Sequence, residues 1–186
     1  MYTTMPADIV DILYSAIDEI GREKIRVDMS SSVDGSAKYC RKIVNKSIAR
    51  LGPGASDEEI GTLCEALLHF MLTASVLPSE RKVNFKGVDL DLVIPSMKML
   101  NKSPDKALVI QVIKNSGDLG RRIREAGSVQ PHHENIWVVS ARRLQTDRKK
   151  YHLGSKKDHP YFRIIQDVNA FLVDKKVKGL KLLHGQ

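Results

Sequence analysis

The chain has 186 residues, 42% hydrophobic and 28% charged, which suits one globular unit with a sizeable core and excludes both a disordered chain and a pair of complete enzymes. No apolar run approaches the ~20 residues of a bilayer span, and MYTTMPADIVDIL lacks the basic start and cleavage site of a signal peptide, so a cytoplasmic protein without membrane attachment is expected. Thirty Lys and Arg against 22 Asp and Glu leave a formal charge of +8, an imbalance that favours polyanions such as nucleic acid through counterion release.

Residues 6–20 carry Ile9, Ile12, Leu13, Ala16, Ile17 and Ile20 at helical spacing, with Gly21 placed to end the helix. Residues 26–36, rich in Ser, Asp and Gly, read as a loop. A second helix is expected over 37–51, with Ala37, Cys40, Val44, Ile48 and Leu51 inward and Lys38, Arg41, Lys42, Lys46 and Arg50 on the remaining surface. Gly52-Pro53-Gly54 breaks it. Ser56 with Glu59 three residues later has the form of a capping box and starts a third helix to about Ala74, on which Glu58, Glu59 and Glu65 read as ordinary dipole-favoured and surface residues. Cys40 and Cys64 lack metal-ligand spacing and are expected as buried thiols. Residues 1–54 thus read as a helical extension and 55–186 as the core, together one compact unit.

Strands follow at 81–85 and 88–94, joined by a two-residue turn at Lys86-Gly87. Period two places Val88, Leu90, Leu92 and Ile94 on one side of the second strand and Asp89, Asp91 and Val93 on the other. Pro95 closes it, residues 101–106 read as a loop, and 107–113 is the apolar run of a central strand interrupted only by Gln111 before Lys114. After Ser116, a cap by residue type, a helix with Leu119, Ile123 and Ala126 inward and Arg121, Arg122 and Arg124 outward is expected to end at Gly127. A strand at 135–140, a basic loop containing Arg142 and Arg143, a helix from Asp158 and Pro160 to Asp174, and an edge strand at 177–183 complete the reading. The expected fold class is α/β or α+β, a mixed sheet flanked by helices.

Two acids on one strand and a lysine ending the next resemble the PD-(D/E)xK nuclease superfamily, the restriction-endonuclease-like fold, over roughly residues 57–140. The resemblance implies a DNA endonuclease dependent on Mg²⁺ or Mn²⁺. Asp91, or Asp89 one pleat earlier, would match the metal-binding aspartate. Lys114 would match the catalytic lysine, and Glu58, Glu59 or Glu65 the helix glutamate that some members add. Asp91, Gln111 and Lys114 are accordingly the candidate catalytic residues, and Asp89, Asp91 and Gln111 the candidate metal ligands. The pattern departs at the acid two residues before the lysine, which is Val112 here. Some members carry glutamine near this place and others have lost acids and no longer cut, so the alternative is a non-catalytic nucleic-acid-binding or partner-binding module. Arg121, Arg122, Arg124, Arg142 and Arg143 are the candidate contacts to a duplex DNA backbone, since only five Tyr, four Phe and one Trp are available for stacking on single strands. Two-fold pairing is common in such nucleases, and the amphipathic first helix is the candidate interface by elimination.

Overall fold

The computed structural model describes residues 8–153 and 160–177. Helix α1 (Ile9–Ile20) starts where the Asp8 carboxylate accepts a hydrogen bond from the Val10 N–H, and Gly21, at φ 109°, ends it. The segment expected to be a loop is instead helix α2 (Arg22–Ser31) followed by a 3-10 turn at Val33–Gly35. Ile25 and Met29, four apart and fully buried, give it a core-facing stripe, while its serines bond back to Val27 or cap the next turn. Helix α3 (Ser36–Leu51) stops at Gly52, and α4 (Asp57–Ala74) opens with the Ser56–Glu59 capping box in full.

Strands β1 (Glu80–Phe85) and β2 (Val88–Ile94) form a hairpin whose turn residues, Lys86 and Gly87, have φ of 51° and 81°. Two left-handed residues in succession match the right-handed twist of the strands. Helix α5 (Met97–Lys102) and a 3-10 turn at Pro104–Lys106 occupy the stretch expected as loop. Then come β3 (Leu108–Ile113), α6 (Leu119–Val129), β4 (Ile136–Ser140), β5 (Lys149–His152) and α7 (Ile164–Asp174). Helix α6 runs past Gly127, and Ser116 does not cap it: a 3-10 turn at Ser116–Asp118 leads in, capped by Asn115, which accepts from the Gly117 N–H at 2.9 Å, while α6 itself has no side-chain cap.

The sheet has strand order β1-β2-β3-β4-β5, antiparallel from β1 to β3 and parallel from β3 to β5. Strand β5 lies in the region read as a basic loop. It is a strand because β4 offers a parallel edge and because Tyr151, packed 5.5 Å from Trp137, donates to the Asp167 carboxylate at 2.7 Å on α7. One face of the sheet carries Leu92, Ile94, Ile110, Val112, Trp137 and Val139 into a core shared with α1, α3, α4 and α7. The other carries Leu90, Val93, Val109 and Ile136 against Leu100 of α5 and Ala126 of α6. The apolar stripe of α1, the candidate pairing surface, is largely consumed inside the molecule, since Leu13, Ala16 and Ile17 are fully buried. Among the described residues no helix is long and apolar enough to cross a membrane. The expected start of the last helix at Asp158, and all of the expected edge strand after Val177, fall outside the described residues.

Candidate functional site

Strand pairing between β2 and β3 runs from Ile94–Leu108 to Leu92–Ile110 and stops. Past that point two side chains take over. The Asp91 N–H donates to Gln111 Oε1 at 3.0 Å, Gln111 Nε2 donates to the Asp89 carbonyl at 3.2 Å, and the Val112 N–H donates to Asp91 Oδ2 at 2.7 Å. Three backbone groups with no ladder partner are thereby satisfied. This accounts for Gln111, 0% exposed in an otherwise apolar strand.

The pleat also reverses here. Leu90 packs on the α5/α6 side and Leu92 on the α4 side, so the two leucines do not share a face as strict period two requires. In β1, Lys82 stands between the pairs Arg81–Leu92 and Val83–Leu90 with φ 50°. That left-handed conformation costs a non-glycine residue roughly 1–2 kcal/mol. The expectation that Asp89 and Asp91 point to one side fails for the same reason. The exposed Asp89 carboxylate accepts from Asn84 Nδ2 at 2.8 Å within the hairpin, whereas Asp91 turns into the seam between β2 and β3.

Arg122 reaches that seam from α6. Its Nη2 donates to Asp91 Oδ2 and, at 3.1 Å, to Gln111 Oε1. Both partners of the ion pair are largely covered, with side chains 16% and 21% exposed. The reading of Arg122 as outward is therefore corrected. The signal was present: Leu119, Arg122, Ile123 and Ala126 follow the i, i+3, i+4, i+7 stripe that faces a core. Leu119 and Ile123 pack on Ile113, Val138 and Leu144, which fixes the helix and with it the arginine.

Lys114 belongs to the opposite face. Gln111 meets α6, Val112 joins the α4 side, Ile113 returns to α6, and Lys114 Nζ sits 2.8 Å from Glu65 Oε2 on α4. Glu65 is 5% exposed and lies 3.9 Å from Arg81 as well. It is thus the one glutamate of the three candidates that meets Lys114. Glu59 is spent on the capping box, where the Ser56 N–H and hydroxyl hold its carboxyl below the ordinary value, and Glu58 is exposed. The Lys114 approach needs Gly61, since a Cβ there would stand 3.0 Å from Lys114 Cγ. The sequence signal for Glu65 was its place among apolar neighbours, Leu63, Cys64, Ala66, Leu67 and Leu68, where a lone acid calls for a partner.

The structure therefore gathers Asp91 and Gln111 around Arg122 and Lys114 around Glu65, with Asp89 apart. Because β3, β4 and β5 are parallel, Lys114, Arg142 and Arg143 all follow the carboxyl ends of their strands along one sheet edge. Arg142 Nε donates to Asp57 at 2.8 Å with its side chain 78% exposed, and Arg143 and Arg124 are exposed. Arg121 is held between Asp118 and Glu125.

A divalent metal fits this donor set poorly. Asp91 Oδ2 and Gln111 Oε1 each already accept two hydrogen bonds, one from the backbone and one from Arg122. Among the described residues no group of three or more His, Cys, Asp or Glu side chains is arranged to hold a metal ion. Mg²⁺ is usually held by one or two carboxylates with waters, and here the two oxygens that face one another are both taken by Arg122.

No family model and no curated protein matches the chain. Two solved structures are similar to it. The restriction endonuclease PspGI in complex with substrate DNA aligns with a TM-score of 0.61 at 14% identity, over 91% of this chain and 94% of that one. Metal-depleted Ecl18kI with uncleaved, modified DNA aligns with a TM-score of 0.43 at 8% identity, over 95% and 74%. The first likeness shows the fold: a mixed five-stranded sheet with flanking helices of the restriction-endonuclease-like kind.

Proposed function

We propose that this chain binds duplex nucleic acid, DNA in the first place, through the sheet edge at the carboxyl ends of β3 and β4, on a nuclease-like scaffold whose acidic seam is neutralised from within. The observation that carries the reading is the charge balance at the seam. On one face of the parting strands Asp91 pairs with Arg122, and on the other Glu65 stands against Lys114 and Arg81, in all two carboxylates against three cations. A site with surplus positive charge attracts a phosphodiester and repels a dication. Exposed Arg142 and Arg143, which follow the carboxyl end of β4, extend the positive surface there, in the manner of backbone contacts that position a duplex without reading its bases. Single strands find little to stack on, because Trp137, Tyr151, Tyr161 and Phe162 are all buried.

A second reading, the Mg²⁺- or Mn²⁺-dependent endonuclease with Asp91 as ligand and Lys114 as the phosphate-facing lysine, is favoured by one fact: Asp91 on β2 and Lys114 on β3, the latter paired with Glu65 of α4, flank the point where the two strands part, on its two faces. Fluorescence anisotropy with duplex and single-stranded DNA in EDTA, combined with plasmid cleavage in Mg²⁺ and Mn²⁺, separates the two. Salt-dependent duplex binding in EDTA is expected, with Arg142→Ala and Arg143→Ala each lowering the salt slope by about one unit. The plasmid should stay intact. Absence of duplex binding at low salt refutes the proposal, and cleavage that Asp91→Ala abolishes moves the conclusion to the endonuclease.

A further inference from the structure

We infer that Arg122 is a resident cation standing where a nuclease of this fold would place its divalent metal, and that it keeps such metals out of the Asp91–Gln111 seam. The oxygens concerned are Asp91 Oδ2 and Gln111 Oε1, and a single nitrogen, Arg122 Nη2, bonds both. Each oxygen has its second acceptor site filled by a backbone N–H, from Val112 and Asp91 respectively, so neither has room for a metal while the arginine is in place. A metal would have to evict a guanidinium that is 16% exposed, and would then sit beside it. Arginine keeps its charge in proteins, so the guanidinium does not vacate the oxygens by losing a proton.

The rest of the seam is built to suit a monovalent planar cation. Gln111 is neutral, and with Asp91 it presents one net negative charge, which one guanidinium balances. Its amide is held at both ends, Oε1 by the Asp91 N–H and Nε2 against the Asp89 carbonyl, so it does not swing out to complete another coordination shell. Arg122 is delivered by the inward stripe of α6, anchored by Leu119 and Ile123 on either side, and is not a surface arm that happened to fold in. Glu65, the other carboxylate at the parting, is engaged by Lys114 and Arg81 and adds no donor to the Arg122 side. The inference does not depend on nucleic-acid binding, because it concerns metal affinity alone.

The test is Mn²⁺ titration of the full chain, reading free Mn²⁺ by electron paramagnetic resonance, for the wild type, D91N, R122Q, R122K and the double variant D91N/R122Q. R122Q keeps a hydrogen-bond donor and removes the charge, and should bind Mn²⁺ roughly tenfold or more tightly than wild type, as expected for deleting one unit charge a few Å from a dication. R122K should exclude the metal as wild type does, and D91N/R122Q should lose what R122Q gains. Mn²⁺ uptake by the wild type that D91N abolishes overturns the inference, as does a folded R122Q with no gain. Should R122Q fail to fold, the wild-type and R122K titrations decide: uptake dependent on Asp91 refutes the resident-cation role, and no uptake with an unchanged melting temperature in Mn²⁺ upholds it.

Discussion

Replacing Gln111 by leucine isolates the hydrogen bonds that bridge β2 and β3 where their ladder ends. Leucine is close to glutamine in volume, so little cavity or strain term is introduced and the effect reads out the polar contacts. Three are lost: from the Asp91 N–H at 3.0 Å, to the Asp89 carbonyl at 3.2 Å, and from Arg122 Nη2 at 3.1 Å. The Asp91 amide sits in a part-buried seam and would be left without a partner, a cost of about 1–3 kcal/mol. The Asp89 carbonyl belongs to an exposed residue that water reaches, so its loss adds little. Arg122 retains Asp91 and loses one charge-assisted bond, about 1 kcal/mol more. Extra apolar burial returns part of this, and a net destabilisation of roughly 2–3 kcal/mol is expected in urea denaturation, or about 4–12 °C in melting temperature for a chain of this size. As a control, Asn84→Ala removes two exposed contacts, to Asp89 and from the Gly87 N–H of the turn, and should cost under ~1 kcal/mol. A Gln111→Leu loss no larger than that control would show that the glutamine does not hold the parting strands.

Gly61→Ala sets a helix-propensity gain of about 1 kcal/mol against overpacking of about 1–3 kcal/mol, because the new Cβ meets Lys114 Cγ at 3.0 Å and Cα at 3.5 Å. A net loss of roughly 1 kcal/mol in urea is expected, whereas Gly127→Ala on α6, with nothing within 4 Å, should gain up to ~1 kcal/mol; a gain at Gly61 would contradict the close packing of α4 on β3. Burial first, and Arg81 second, hold the His69 imidazole below its ordinary value, so the folded state favours the neutral ring. The unfolded chain then takes up the proton first, and stability should fall as pH drops through about 6.5. His69→Gln should flatten that part of the urea midpoint against pH, and an unchanged slope would rule the histidine out as its source. Burial pushes the Cys40 thiol up to about 12 and Cys64 higher still. Neither should react with a thiol reagent at pH 8 in the native protein, both should after denaturation, and fast native labelling would refute their placement in the core.

Local chemistry was legible wherever one short stretch decides the outcome. The Ser56–Glu59 capping box, the Lys86-Gly87 turn and the continuous apolar run of β3 each carry their own instructions, and all three appear as read. Helix α2 was missed because serines usually mark loops, while the signal that prevailed was the Ile25–Met29 stripe, which only matters once there is a core to meet it. Strand β5 was missed for a like reason, since LysLysTyrHis has little strand character until β4 offers it an edge and Trp137 a surface.

The sequence by itself determined the charge, the mixed helix-and-strand order and the residue types at the seam: Asp91, Gln111 and Lys114 were all legible as candidates. Only the tertiary structure decided how they pair. Whether Lys114 meets Asp91 or Glu65, and whether a metal or Arg122 meets Asp91, depends on which helix lies over each face of β3 and on a pleat reversal at Asp91. Those contacts join residues 20 to 49 positions apart, from Asp91–Gln111 to Glu65–Lys114. Their energies arise only after the sheet has formed and excluded water, so no local pattern in the chain encodes them.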